Sequence, residues 1–420
     1  MLDIDLERAA KFFESLASAT AAHPGVTRDS YGTGEQKAHD LLAAEAQTLG
    51  LEVTNDNAGN LYMTLPGRDR DLPRVVLGSH LDSVPHGGNF DGAAGVIAGI
   101  IVLEAFRRWG VAPRRDICVM AIRAEESTWF PLSYIGSRAA LGNLAPEELK
   151  SLRTDNARSL AWHMAKAGYD PDSVARGEAF LHPGQVACFL ELHIEQGPQL
   201  LARDLPLGLV TGIRGSLRYR NACCIGEYAH SGAVPRNSRK DAVFGAASLV
   251  MGLDSLWQEL ESDGHDLTIT LGQLQTDSKE HAFSKIPGLV RFCVDFRSLS
   301  EETLNLLDQR LHALCDSISQ SRSVRFELGP RSGSTPALMD EEILNKLGSS
   351  AQKLGIPVYN MASGAGHDAS VFANAGVPSG MVFVRNAHGS HNPDEGMDIE
   401  DFGLGCRLLA ALLSQDNFPD

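Results

Sequence analysis

The sequence predicts an α/β protein: a mixed, mainly parallel sheet with helices on both faces, into which a smaller α+β unit is inserted. Three observations carry this. Between residues 50 and 125, short apolar runs bounded by turn residues alternate with a stretch of helical periodicity. A block at 212–331 instead combines alternating strands with two long helices, and beyond 331 the first pattern returns. With 420 residues, 41 of them glycine, and 43% apolar side chains, the chain can bury two or three cores and is too apolar to be disordered. The expected boundaries are 1–211 and 332–420 for the two parts of the larger domain and 212–331 for the insertion.

Taken in order, apolar spacing predicts helices over 5–16 and 34–49, the second ended by Gly50. Strands follow at 51–55, 60–65 and 74–80. A helix over 92–109 then precedes a buried strand at 116–123, an alternation that argues for parallel pairing with both faces covered. In the insertion, 216–227 and 267–274 read as strands, and 241–261 and 301–317 as helices. The last part reads as helices over 340–354 and 369–375, a buried strand at 379–384 and a closing helix over 401–413.

Composition limits the partners. The chain has 37 Lys plus Arg against 53 Asp plus Glu, a formal charge of −16, and no basic run, so neither nucleic acid nor an anionic membrane surface is expected to bind it. The longest apolar stretch stops at Glu104 and is too short to cross a hydrocarbon core of about 30 Å. The N-terminus is acidic where a secretory signal starts positive. The seven cysteines are scattered and form no C-x-x-C pair, which suits a reducing compartment, so a cytoplasmic protein is expected.

The chemistry gathers at strand ends, where open α/β sheets place their ligands. His80 ends a buried strand and is a metal-ligand candidate, and Asp82, two residues on, can accept the other imidazole N–H. Alone, an H-x-D triplet is more often loop polarity. Asp91 follows in a glycine-rich turn before an apolar helix. An aspartate there is commonly an N-cap, but glycines on both sides favour a carboxylate bridging two cations. The adjacent Glu125 and Glu126 end the next strand and must point apart, so one can ligate metal while the other moves protons; a solvated loop is the plain alternative. Alternation places Glu191, His193 and Glu195 on one face of a further strand, and the run from Arg385 to Glu395 brings another histidine to a strand end.

In this order, H-x-D, N-F-D-G, an E-E pair, H-I-E-Q-G-P, S-G-A-G-H-D and S-H-N-P-x-E resemble the di-zinc amidohydrolases related to aminoacylase and carboxypeptidase G, and most closely their amidase/hydantoinase/carbamoylase branch. The match runs from His80 to Glu395. The resemblance implies a di-zinc exopeptidase-like catalytic domain with a ferredoxin-like lid and dimerisation domain inserted. It makes His80, Asp91, Glu126, His193 and His391 the ligands of two divalent metals, usually zinc, with manganese or cobalt as alternatives, and Asp91 as the bridge. Glu125 becomes the general base and Asp82 the orienter of His80. His230 would act across a homodimer interface, Arg297 would clamp a substrate carboxylate, and Gln196 and His367 would contact substrate. For Arg297 a salt bridge with Asp295 is the alternative.

Two departures bear on the substrate. Ser284 stands where the family often has a substrate-binding Asn, and 230–236 reads H-S-G-A-V-P-R rather than H-A-G-T-T-P-M. The resemblance therefore implies hydrolysis of a C–N bond in a small ureido or amide acid, first an N-carbamoyl-L-amino acid. Allantoate or ureidoglycolate comes next, then a dipeptide or N-acyl amino acid. A non-enzymatic scaffold is disfavoured because every ligand and the base are present.

Overall fold

The computed structural model describes residues 3–415 and 418; Met1 and Leu2, which open the acidic N-terminal run, lie outside the described residues. The chain forms two compact units, Met1–Thr211 with Leu338–Asp420, and Gly212–Ala337.

The larger unit is organised on a sheet whose order is Glu52–Asn55, Leu61–Leu65, Ile117–Ile122, Arg74–His80, Val186–Ile194, Ser379–Val384 and Leu207–Ile213. The central four strands pair in parallel and those flanking them antiparallel, which gives the mixed sheet expected. Ile117–Ile122 and Val186–Ile194 are buried along their whole length, as strands covered on both faces must be. Within Val186–Ile194, Leu190, Leu192 and Ile194 join the core beneath helix Ala93–Arg108. Phe189, on the opposite face, stacks on Phe372 of helix Asp368–Asn374 with centroids 3.9 Å apart. Such a pair adds about 1 kcal/mol beyond the area it buries.

Helix Ala93–Arg108 is buried from Ala93 to Phe106, which explains its lack of a polar face: the sheet covers one side, and helices Leu6–Ala19 and Ile399–Gln415 cover the other. Three short helices, Ile135–Ala140, Leu160–Lys166 and Pro171–Ala175, pack around Phe130, Leu160 and Met164. The sequence reading assigned no elements there, because five to seven residues carry too little periodicity to register. Among the described residues no helix is long and apolar enough to cross a membrane.

The smaller unit is an antiparallel sheet with helices Ala242–Ser262 and Glu301–Arg322 packed on it. Its long strands are Leu289–Ser298 and Gly215–Ile225. Val290, Phe292, Val294 and Phe296 are buried in strict alternation, whereas Arg220 and Asn221 are consecutive exposed residues opposite Cys293, a β-bulge. The strand expected at 267–274 is broken at the same level. Thr268–Thr270 pairs with Asp295–Arg297 and Leu274–Thr276 with Val290–Phe292, while the Cys293 N–H donates to Gln273 O. Arg331–Ser334 pairs back onto Gly215–Ile225, so this unit ends at Ala337, beyond the boundary read at 331.

Candidate metal centre

His80 ends its strand with the imidazole buried, and its Nε2 lies 3.4 Å from Asp91 Oδ1. His193, from the neighbouring strand, brings its Nε2 to 3.2 Å from the same oxygen. The other oxygen, Asp91 Oδ2, is 3.4 Å from His391 Nε2, which in turn lies 3.1 Å from Glu126 Oε1. One carboxylate therefore stands between two donor groups, His80 with His193 and Glu126 with His391.

The ring orientations show what these groups can hold. His80 Nδ1 lies 3.0 Å from the Asp82 carbonyl oxygen and His193 Nδ1 2.9 Å from that of Ile194, so both Nδ1 atoms donate and both Nε2 atoms carry lone pairs, that of His193 also accepting the Gly92 N–H at 3.2 Å. Asp91 Oδ1, which they face, is buried and accepts no hydrogen bond from the described residues. Two lone pairs and an anionic oxygen turned toward one another out of water repel unless positive charge sits among them. The donor set fits a divalent cation.

The surrounding carboxylates favour positive charge here, whether carried by protons on the rings or by a cation among them. Burial opposes a charge on His80, but Asp82, Asp91 and Glu125 outweigh it and hold its pKa well above the usual value. Hydrogen bonds to Asp91 and Glu126 push His391 up to about 10. Burial works against ionisation of Asp91, yet His193, His391 and His80 together hold it well below the usual carboxylate range.

The backbone makes this approach possible. Gly92 has φ +66°, and a Cβ there would fall 2.5 Å from the His80 ring. Gly92 is also the cap of helix Ala93–Arg108, so Asp91 is not an N-cap. Its Oδ2 instead accepts from Gln196 Nε2 at 2.8 Å and Ser390 Oγ at 2.5 Å. Ser390 also lies 2.6 Å from Glu395 Oε2, a carboxyl whose pKa burial and Asp91 raise, so one hydroxyl joins two acids.

Asp82 does more than face His80. Its Oδ1 is 3.3 Å from His80 Nδ1 and accepts the Glu125 N–H at 3.0 Å, and its Oδ2 accepts the Glu126 N–H at 3.2 Å and Ser30 Oγ at 2.7 Å. The strand ends at Ile122, so the acid pair lies in the loop beyond it rather than at its end, and its side chains diverge there. Glu126 turns to His391, while Glu125 Oε2 lies 4.0 Å from His80 Nε2. Burial pushes the Glu125 pKa well above the usual value; His80 opposes this, and Glu126, Asp368 and Asp82 reinforce it.

Glu191 and His193 share a face, and the His367 ring lies 4.5 Å from that of His193. Burial and His193 keep His367 neutral, with its pKa well below the usual value. Glu195 departs from that face: the strand ends at Ile194, and the carboxylate accepts the N–H groups of Gln199 and Leu200. Gln196 turns back toward Asp91 with φ +61°.

His230, Ser284 and Arg297 belong to the smaller unit. His230 is exposed, its Nδ1 accepting the Gly232 N–H at 3.1 Å, and the Ser284 carbonyl accepts from Ser231 beside it. Arg297 donates from two nitrogens to Asp295 Oδ2, at 3.1 and 2.9 Å, so the ion pair considered from sequence is formed. Arg28 escaped sequence reading. It is fully buried, donates to the Leu81 and Asp91 carbonyls, and so ties together the loops carrying Asp82 and Asp91. Nothing in its local sequence marks it, because its partners lie more than fifty residues away.

Comparison with known proteins agrees with this geometry. Residues 76–415 match peptidase family M20/M25/M40. The chain is 36% identical over 386 residues, 92% of each chain, to an N-carbamoyl-L-amino acid amidohydrolase of Geobacillus stearothermophilus. It is 31% identical to a ureidoglycolate hydrolase of Arabidopsis thaliana, over 99% of this chain and 87% of that one. An amidase of the hydantoinase/carbamoylase family from Burkholderia multivorans superposes with a TM-score of 0.89 at 30% identity, covering both chains completely. The strand-end histidines, the acid pair and these similarities over nearly the whole chain lead to one conclusion: the chain belongs to peptidase family M20/M25/M40.

Proposed function

We infer that the protein is a metal-dependent amidohydrolase that cleaves a C–N bond of an N-carbamoyl-L-amino acid or a related ureido acid. One observation carries the reading: the buried, unbonded oxygen of Asp91 faced by two imidazole lone pairs, with Glu125 buried alongside. His80, Asp91 and His193 would hold one divalent cation and Asp91, Glu126 and His391 a second, zinc by donor type, with manganese or cobalt as alternatives. When bound, such cations polarise a carbonyl oxygen and acidify water.

The protein's own groups supply the rest. Glu125 takes a proton from the attacking water and passes it to the departing nitrogen, a role suited to a carboxyl whose raised pKa lets it hold that proton in transit. Attack on the carbamoyl carbon breaks its bond to the amino-acid nitrogen, and the carbamate released decomposes to ammonia and carbon dioxide. Asp82 fixes His80 and both glutamate amides. Gln196, His367 and Ser284 contact substrate. Arg297 leaves Asp295 to take the substrate carboxylate in its planar fork. His230 stabilises the oxyanion in the partner subunit of a homodimer, in which the smaller unit acts as lid and dimerisation domain. All seven cysteines are free, which supports a cytoplasmic setting.

Ureidoglycolate or allantoate is the second reading, supported by the similarity to the ureidoglycolate hydrolase and by Ser284, which shortens the side chain at a substrate position. The test is turnover by metal-loaded protein on N-carbamoyl-L-amino acids, allantoate, ureidoglycolate, dipeptides and N-acyl amino acids, with ammonia and free amine measured separately. Ammonia from a carbamoyl or ureido acid supports the proposal; amine without ammonia from a peptide or acyl substrate would replace it.

A further inference from the structure

The acid pair leaves its strand through an unusual turn. Ala124 has φ +52°, a left-handed conformation that a residue bearing a Cβ adopts at a cost, so the surroundings must hold it. They do so with a second buried carboxylate. Glu35, in helix Thr33–Thr48, accepts the Ala124 N–H on Oε1 at 2.8 Å. Its Oε2 accepts the Tyr31 N–H at 2.6 Å and Arg123 Nη1 at 2.9 Å. With the Asp82 contacts, three consecutive amides, 124 to 126, are each clamped by a buried carboxylate oxygen.

Arg123 makes the Glu35 clamp rigid. Its guanidinium is buried, donates to the Gly59 carbonyl, Gln36 Oε1 and the Tyr169 hydroxyl, and lies over the ring of Tyr169 at 5.1 Å. It is therefore oriented by several chain segments at once. The direction of the network is toward the turn from which Glu125 and Glu126 project.

We propose that Glu35, braced by Arg123, is a positioning residue that holds Ala124 left-handed and thereby aims Glu125 and Glu126 into the centre. The proposal rests on the reading of Glu125 as proton carrier and Glu126 as ligand, and it extends that reading to residues that touch neither substrate nor cation. Glu35→Gln is the informative change. Three N–H donors converge on the two oxygens of Glu35, and an amide must turn its own NH2 toward at least one of them.

In Glu35→Gln, kcat is expected to fall roughly 10- to 100-fold with KM changed less than about threefold, the signature of misaimed chemistry rather than lost binding. The amides of 124–126 are expected to exchange hydrogen faster in the metal-free protein while the strand Val186–Ile194 stays protected. Zinc affinity, measured by competition with a chromogenic chelator, is expected to drop about tenfold. Adding Ala124→Gly should restore most of the lost kcat, because glycine takes φ +52° unaided; a purely structural role for Glu35 would not respond to that second change. Should Glu35→Gln fail to fold, Arg123→Lys, which keeps the charge and loses the fork, carries the same expectations. Wild-type protection of 124–126 in the variant, or no recovery in the double variant, overturns the proposal. If wild-type protein hydrolyses no ureido acid, the functional reading fails, and amide exchange with zinc affinity still decides this one.

Discussion

At the scale of single residues, the tasks proposed for Glu125 and Asp91 are separable. Glu125→Gln removes the proposed proton carrier and leaves the proposed ligands in place, so kcat should fall by about 10² to 10⁴ while two cations still bind, as checked by turnover and elemental analysis. Asp91→Asn weakens the one group facing both donor pairs, and cation content should fall with activity. His80, Asp91 and His193 were legible in the sequence because each sits within two residues of a strand end or helix start, and the acid pair because it follows three residues after a buried strand, where local patterning shows it. Arg28, Ser390 and Glu35 were not, because their meaning lies in partners brought from distant segments.

At the scale of elements, helix Thr33–Thr48 carries a feature that sets pH dependence. Both ring nitrogens of His39 are buried without hydrogen-bond partners among the described residues. Burial first, and then Arg123, holds its pKa well below the usual value. In the unfolded chain His39 gains a proton near pH 6.5 that the folded protein refuses. Stability therefore falls as pH drops below about 6.5, by up to about 1.4 kcal/mol per pH unit from this group. His39→Leu should lose that component: urea unfolding curves of the two proteins should keep a constant separation above pH 7 and diverge below 6.5, with the variant favoured. Parallel behaviour down to pH 5 would contradict the assignment.

Elements also differ in how plainly they read. Strand Ile117–Ile122 and helix Ala93–Arg108 up to Leu103 announce themselves by unbroken apolar runs. The strand read at 267–274 takes in Thr268–Thr270 and the break after it but only the first residue of Leu274–Thr276, because the bulge at that level belongs to strand pairing elsewhere in the sheet. Arg297 was left between two partners for a related reason: alternation places it beside Asp295, and sequence does not say when that bond is given up.

At the scale of the whole molecule, the proposed homodimer predicts complementation. His230→Ala and Glu125→Gln should each be nearly inactive, yet mixed and allowed to exchange subunits they should regain about a quarter of wild-type sites, since half of the dimers are mixed and each restores one of two sites. A mixture as inactive as its parents would place His230 in its own subunit's reaction or outside the reaction.

The central claim is that Asp91 joins two cations held by His80 with His193 and by Glu126 with His391. Crystals grown with zinc and measured at its absorption edge test this most directly. Two anomalous peaks are expected per chain, one on either side of the Asp91 carboxylate, both absent in Asp91→Ala. No peak at that carboxylate, or peaks that persist when it is removed, would contradict the account.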